Sequence, residues 1–400
     1  MKAGPAERRS PRQAGLDLLR FLAASVVICS HASNFGDAGA LFNKTPGFGG
    51  RFLLSLSCMG WVSVDVFFVL SGFLVSGLLF EEAARTGTVS ISRFLIRRGF
   101  KIYPGFWVMT AVFLVWNRLH GAPDSLKVVF AELFYVQNYG IYIWGHTWSL
   151  AVEEHFYFLL AGLFFILKRR TAPGRALDFA WIPNFFLAFA VLCLLARAVT
   201  WWAILDVTDD NIFLFNHADY AVMDSLMFGV LLSHYWHNCW TLQTKMKVLA
   251  WRVPLVAVGV CLLTPVLPNF MGLEWFRTVG FVLVYLGAGC LVLGSLSLDD
   301  SACPAWLRWP AWLGKYSYSV YLWHILAGKW LVPLLAPKGN GLPGWILNAL
   351  IYFVGCWVVG IVLAWLIEFP ALRWRDRFFP SLSQTRSSLG DSHPTQSCRR

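Results

Sequence analysis

The chain is 400 residues long; hydrophobic residues make up 57% of it and charged residues 14%. Soluble domains average about 45–50% apolar and about 25% charged, so this excess belongs in lipid, and the chain reads as a polytopic membrane protein rather than a disordered, collagenous, coiled-coil or disulfide-stapled one. The formal net charge is +11, but no helix-turn-helix, zinc or RNA-recognition signature accompanies it, so no nucleic-acid partner is expected and the bilayer is.

In chain order, residues 1–15 form a basic segment with Arg8, Arg9 and Arg12. The apolar run after it carries Asp17, Arg20 and His31 and lacks a clean small-residue cleavage site, which predicts a retained first helix rather than a signal peptide. Runs long enough to span follow, and helices are predicted near 16–34, 60–80, 102–118, 148–167, 180–200, 220–238, 252–268, 275–296, 314–335 and 345–367. With the N terminus in the cytoplasm, the basic clusters Arg93–Lys101, Lys168–Arg175, Lys245–Arg252 and Arg373–Arg377 all fall on the inner side. That bias predicts an all-α protein of about ten transmembrane helices with both termini cytoplasmic, placed in the inner membrane. The outer loops would be 35–59, 119–147 and 201–219. Residues 376–400 read as a disordered cytoplasmic tail. There is no internal repeat, which weighs against a secondary transporter or flippase, the rival reading. His234, His237 and Cys239 lie close in sequence at a membrane edge, without the spacing of a metal site, and no metal is expected.

Ionisable residues at bilayer depth are costly and are functional candidates by default. They are Arg20, His31, Asp65, Glu153, Glu154, His155, His324 and Glu368. Arg20 and His31 are eleven residues apart, which returns a helix to nearly the same face about 16 Å along its axis. Arg20 then sits near the inner end and His31 near the outer end of one stripe. Asp65 is expected at the depth of His31, where a carboxylate fixes an imidazole tautomer. Glu153 and Glu154 point about 100° apart, so one is expected to face a cavity and the other a structural partner. Burial suits such a carboxylate to proton exchange. His146 and Trp148 stand at the entry to that helix. Arg93, Arg97, Arg98 and Lys101 form a basic helical ledge at the end of the inner loop 81–101, suited to a phosphate-rich ligand. Glu368 is expected to be a structural hydrogen-bond partner.

These motifs stand in a recognisable order. GLDLLRFLAASVVICSH, GWVSVDVFFVLSGFLVSGLLF, SRFLIRRGFKIYPGFW, HTWSLAVEEHFYFLL, DSLMFGVLLS, YSYSVYLWHI and IEFPALRW together resemble the membrane acyltransferase-3 family over residues 16–375. Each piece is weak alone, whereas seven in order are specific. The resemblance implies a ten-helix membrane domain over 16–375. It also implies transfer of an acyl group, most often acetyl, from cytoplasmic acyl-CoA to a hydroxyl of a surface polysaccharide or glycolipid. The family's helix-1 pair maps to Arg20 and His31, its basic motif to Arg98 and Lys101, and its acid to Glu153 or Glu154. Lysine stands at 101 where the family carries a second arginine, so bidentate phosphate binding is lost there and Arg97 is the candidate to compensate. His155 follows the two glutamates where the family has glutamine. The stand-alone type, without an SGNH hydrolase domain, is expected.

The assignments that follow are these. His31 is the base, with Asp65 or a helix-4 glutamate, Glu153 or Glu154, setting its tautomer. Arg20, Arg93, Arg97, Arg98 and Lys101 hold acyl-CoA. His146, Trp148 and His324 contact the carbohydrate acceptor.

Overall fold

A computed structural model describes residues 13–34, 47–121, 124–139, 144–203, 219–264, 278–296, 298, 303–335 and 341–380. Every described regular element is helical. The helices are α1 (Ala14–His31), α2 (Gly47–Cys58), α3 (Gly60–Thr86), α4 (Ile91–Leu119), α5 (Leu126–Leu133), α6 (Trp148–Arg170), α7 (Ile182–Ala203), α8 (Asp219–Asn238), α9 (Trp240–Met246), α10 (Leu249–Leu263), α11 (Gly280–Ser295), α12 (Ala305–Leu313), α13 (Ser317–Leu335), α14 (Gly341–Leu363) and α15 (Phe369–Phe378). Each of the ten predicted segments overlaps a helix within its described residues.

Six helical stretches are long and apolar enough to cross a membrane, and a seventh is possible if α9 and α10, bent by 89° at their junction, make one broken span. Many apolar side chains face outward, among them Val115, Leu187, Val199 and Val258. In a soluble protein such a surface would aggregate; in a bilayer it is the lipid face. The chain is therefore a multi-pass membrane protein.

The structure departs from the predicted boundaries at several points. α3 continues to Thr86 and stops where Gly87 takes φ 73°, its N–H donating to the Ala83 carbonyl at 2.8 Å. This is the left-handed cap that glycine supplies cheaply. The next helix, α4, starts at Ile91, and Glu82 accepts a hydrogen bond from the Ser90 N–H at 3.0 Å across the connection. The expected inner loop 81–101 is thus mostly helix, and the basic ledge is the first three turns of α4. The expected outer loops also contain helices: α2 in 35–59 and α5 in 119–147. The tail does not begin at 376 as expected. α15 runs to Phe378, and Arg93 and Arg97 donate to the carbonyls of Pro380 and Phe379. The N-terminal segment 1–12, most of the loop 201–219 and the tail beyond 380 lie outside the described residues.

The bundle is held by close helix crossings. α3 and α8 cross where Gly72 meets Gly229: a Cβ on Gly72 would lie 2.0 Å from the Leu226 carbonyl oxygen, and one on Gly229 2.2 Å from that of Val69. Small residues let backbones approach in this way when lipid supplies no hydrophobic drive. α1 packs against α3, α12, α13 and α14, so it sits inside the bundle, with Ala24, Val27 and Ile28 in the core. Between α14 and α15, Ala364–Glu368 forms a π-helical turn. Such turns recur at functional sites because they re-aim one side chain; here the turn carries Glu368, which is buried.

Candidate active site

A cavity of about 370 Å³ opens between α1, α3, α4, α6 and α13. That is within the range of small-molecule sites, about 300–1,000 Å³. Its wall is largely apolar, built from Phe67, Phe68, Leu74, Val75 and Ile102 among others, and its polar residues include Arg20, Ser71, Arg98, Lys101, Glu153 and Tyr321. A second cavity of about 340 Å³ shares Leu78, Arg98 and Lys101 with the first and adds Glu81, Glu82, Arg85, Arg93, Arg97 and Arg375. The two form one passage, cationic where they join.

The four cations of α4 are not equivalent. Lys101 pairs with Glu368, whose other oxygen accepts from Ser319 at 2.6 Å. Arg97 lies 3.1 Å from Asp376 of α15, besides its bond to Phe379. Arg93 is engaged by the Pro380 carbonyl. Arg98 alone of the four has no carboxylate or carbonyl partner among the described residues; its guanidinium lies over the Tyr157 ring, 5.7 Å from the centroid, and faces both cavities. Arg20 lines the first cavity while held 2.8 Å from Asp17, one turn earlier. The arrangement fits a phosphate-bearing ligand: a planar, always charged donor left open at the join of an apolar passage.

The glutamates separate as their spacing predicts. Glu153 lines the cavity near Ser71 and Tyr157, which bond to each other at 2.9 Å. Glu154 is buried and accepts from Tyr103 at 2.8 Å. Glu153 is therefore the one open to a ligand. His155 is half-buried on the same helix.

At the far end, Tyr321 lines the cavity, accepts a hydrogen bond from Ser149 at 2.6 Å and donates to the His146 carbonyl at 2.8 Å. Behind Tyr321 three imidazoles meet. The His31 and His324 ring centroids are 4.8 Å apart, and those of His146 and His324 5.1 Å. His31 ends α1, His146 lies in the 3-10 turn Gly145–Thr147 before α6, and His324 is one turn beyond Tyr321 on α13. Residues far apart in sequence are thus brought into one cluster. Among the described residues, no group of three His, Cys, Asp or Glu is arranged to hold a metal ion; His237 instead meets the Ser233 carbonyl at 2.8 Å.

Three sets of expected site residues stand elsewhere than on an open face of the first cavity. Asp65 is not set against His31. Its carboxylate is buried and accepts from Ser225 of α8, because α3 turns that face toward α8 rather than α1. His324, His146 and Trp148 are 0%, 6% and 7% exposed and are not among the residues that line the first cavity. Trp148 packs edge-on against Phe68 in the core, 5.7 Å between centroids. Arg93 and Arg97 line the second cavity, but each gives part of its guanidinium to the C-terminal segment.

Sequence reasoning also missed a buried ion pair. Arg197 of α7, fully buried, binds Asp224 of α8 through two bonds of 3.1 and 2.9 Å, and stands over the Phe281 ring at 5.4 Å. Asp224 adjoins Ser225, so the pair and Asp65 form one polar island between α3, α7 and α8. The signal was present: both residues interrupt apolar runs. Their separation of 27 positions hides the pairing.

Comparison with known proteins agrees with this picture. The family model described as an acyltransferase domain (acyltransferase-3) matches residues 13–369. The exopolysaccharide production protein ExoZ of Rhizobium meliloti (strain 1021) is 27% identical over 332 residues, covering 79% of this chain and 90% of its own length. The O-acetyltransferase OatA of Staphylococcus aureus (strain NCTC 8325 / PS 47) is 25% identical over 285 residues, covering 66% of this chain and 45% of its own length. A putative O-acetyltransferase of Staphylococcus aureus (strain COL) is 24% identical over 290 residues with the same coverage. The chain thus spans less than half the length of these staphylococcal relatives. No solved structure matches. With the Arg20–His31 helix, the basic start of α4 and the α6 glutamates all inside the matched region, the chain belongs to the acyltransferase-3 family and is an acyltransferase.

Proposed function

We propose that the protein transfers an acyl group, most often acetyl, from cytoplasmic acyl-CoA to a hydroxyl of a surface polysaccharide or glycolipid. The observation that carries this reading is the passage itself, which runs from the open guanidinium of Arg98 through apolar walls to Tyr321, with His31 in the cluster behind it. The chain spans the inner membrane ten times with both termini in the cytoplasm, so that the start of α4 faces the donor's side. Arg98 and Arg20 are placed to bind phosphate, and the Phe67–Phe68–Leu74 wall to take the uncharged part of the donor. The donor supplies an activated thioester carbonyl. His31 takes the proton of the acceptor hydroxyl as that oxygen attacks the thioester carbonyl carbon; the carbon–sulfur bond then breaks and the proton passes to the departing thiolate. Glu153 lines the path and is placed to exchange protons with the cavity.

The test uses the full chain in lipid nanodiscs with labelled acetyl-CoA. Arg98→Ala raises the apparent KM for acetyl-CoA about 10-fold or more, in line with the loss of one charge-assisted contact. His31→Ala abolishes transfer while acetyl-CoA still binds. An Arg98→Ala protein with unchanged KM removes Arg98 from the donor site. A His31→Ala protein that still transfers at near-normal rate removes His31 from the chemistry. Wild-type protein that moves labelled substrate across the bilayer without acylating it is a transporter instead.

A further inference from the structure

α4 and α13 run side by side in the same direction. Near the start of α13, the Tyr318 hydroxyl donates to the Ile102 carbonyl at 2.7 Å; further on, the rings of Trp116 and Trp330 lie 4.7 Å apart. At about 1.5 Å per residue, these two meeting points are about 18 Å apart along α13. The groups already described fall in order along that helix. Ser319 stands at the Lys101–Glu368 pair, Tyr321 at the cavity wall and His324 in the histidine cluster. Lys329 and Trp330 follow, about 8–9 Å beyond His324 along the axis. On α4, Trp116 lies about 27 Å along the axis from Arg98. These are the helix ends turned away from the basic ledge.

Those ends carry a band of aromatic rings with a cation set on it. Trp116 stacks on His120 at 3.9 Å between centroids, and His120 Nδ1 donates to the Trp116 carbonyl at 2.8 Å. Trp144, in the segment before α6, packs on Phe113 of α4 at 4.2 Å. The Lys329 ammonium stands over the Trp144 ring, 3.8 Å from its centroid, where the negative face of the ring holds it. Trp144 is also tied to the histidine cluster: its carbonyl accepts from the Thr147 hydroxyl at 2.8 Å, and His146 lies between the two in the chain. His120 and Lys329 are exposed, and Trp116, Trp144 and Trp330 are half-buried. A tryptophan that only anchors a helix at the lipid interface projects outward, as Trp202 and Trp306 do at 88% and 74% exposed. The three here are instead held in ring-on-ring and ring-on-cation contacts and still reach the surface.

We propose that this band is the binding surface for the carbohydrate acceptor, with Trp116, Trp144 and Trp330 under the sugar rings and Lys329 donating to their oxygens. The inference rests on the acyltransfer reading and places its acceptor. A sugar ring has a face of C–H bonds and a rim of oxygens. The C–H face packs on the partly negative face of an aromatic ring. An ammonium offers three donors to hydroxyl, carboxylate or phosphate oxygens at the rim. The position fits as well. A sugar chain lying on the band is within about two helical turns of the histidine cluster, so that one of its hydroxyls can be presented there. The acceptor therefore approaches from the end of the bundle opposite the ledge, and the passage is left to the donor.

The test is made on the full chain in nanodiscs, with labelled acetyl-CoA and polysaccharide extracted from cells lacking the gene. Trp116→Ala and Trp330→Ala each raise KM for the polysaccharide about 3–10-fold, the range for loss of one aromatic contact. Lys329→Met raises it by a similar factor, about 3–10-fold, through loss of a charge-assisted hydrogen bond. KM for acetyl-CoA stays within about twofold in all three. Trp330→Phe keeps a ring and stays closer to wild type than Trp330→Ala. Where an alanine variant is not recovered folded, Lys329→Met, a change at an exposed side chain, decides the matter. An unchanged KM for polysaccharide in that variant overturns the proposal, as does a KM that rises equally for both substrates. Retention of the protein on immobilised polysaccharide needs no turnover. Wild type retained and Lys329→Met and Trp330→Ala released support the surface, and equal retention of all three refutes it. Wild-type protein that is retained but transfers no acetyl group refutes the acyltransfer reading instead, and the retention of the variants still decides the surface.

Discussion

At the level of single residues, what matters is which charges have partners. Arg98 has no carboxylate or carbonyl partner among the described residues, whereas Arg93, Arg97 and Lys101 are tied to α15, its following residues and Glu368. Alike in sequence character, they differ because the end of the chain docks on Arg93 and Arg97 and Glu368 meets Lys101, while Arg98 lies over the Tyr157 ring. Sequence alone legibly gave the ledge but not this division. The same holds for the glutamates: their 100° separation was readable, but the choice of Glu153 for the cavity needed Tyr103 to claim Glu154. Glu153→Gln is accordingly expected to lower kcat more than Glu154→Gln, checked by initial rates at saturating acetyl-CoA. Arg197 and Asp224 make the strongest structural prediction. Removing one member of a buried pair strands the other charge, at a cost of about 3–5 kcal/mol. Arg197→Ala is expected to lower the thermal stability of the detergent-solubilised protein sharply, and the double variant Arg197→Met, Asp224→Leu to restore much of it. Equal stability of single and double variants would contradict the pairing.

At the level of elements, the apolar runs announced every predicted helix, because the bilayer forces backbone hydrogen bonds to close within each segment. What the runs did not announce were amphipathic pieces. α2 and α5 lie in stretches too short or too mixed for a hydropathy window, and the first turns of α4 are polar enough to read as loop. The π-helical turn before α15 has no hydropathy signature at all. Helix contacts were likewise hidden, since a glycine in an apolar run shows nothing of its neighbour. Gly72→Val would drive branched carbon into the Leu226 carbonyl, where even a Cβ lies at 2.0 Å. Its expected outcome is loss of folded protein from the membrane fraction, measured by fluorescence-detected size exclusion, while Gly162→Val, with nothing within 4 Å of its Cβ position, leaves the protein intact. The α15 dock gives a further expectation. Asp376→Ala frees Arg97 beside the second cavity, and the apparent KM for acetyl-CoA should fall or stay level; a large rise would show that the dock helps to form the donor site.

Over the whole molecule, composition and charge bias lead to a bundle of apolar helices with ionisable groups inside. Among the described residues, many of those groups gather in three places: the cationic passage, the histidine cluster beyond Tyr321, and the Arg197–Asp224–Asp65 island. The first two are joined by the cavity that Arg98 and Tyr321 both line. The third anchors the helices that frame that path. The central claim is that His31 carries an acyl transfer to surface carbohydrate. It is tested most directly by comparing the mass of the surface polysaccharide from cells bearing the wild-type protein and cells bearing His31→Ala at equal membrane abundance. The account predicts polysaccharide heavier by whole acyl units with the wild-type protein and unmodified with the variant. Equal acylation in both, or none with the wild-type protein, would contradict it.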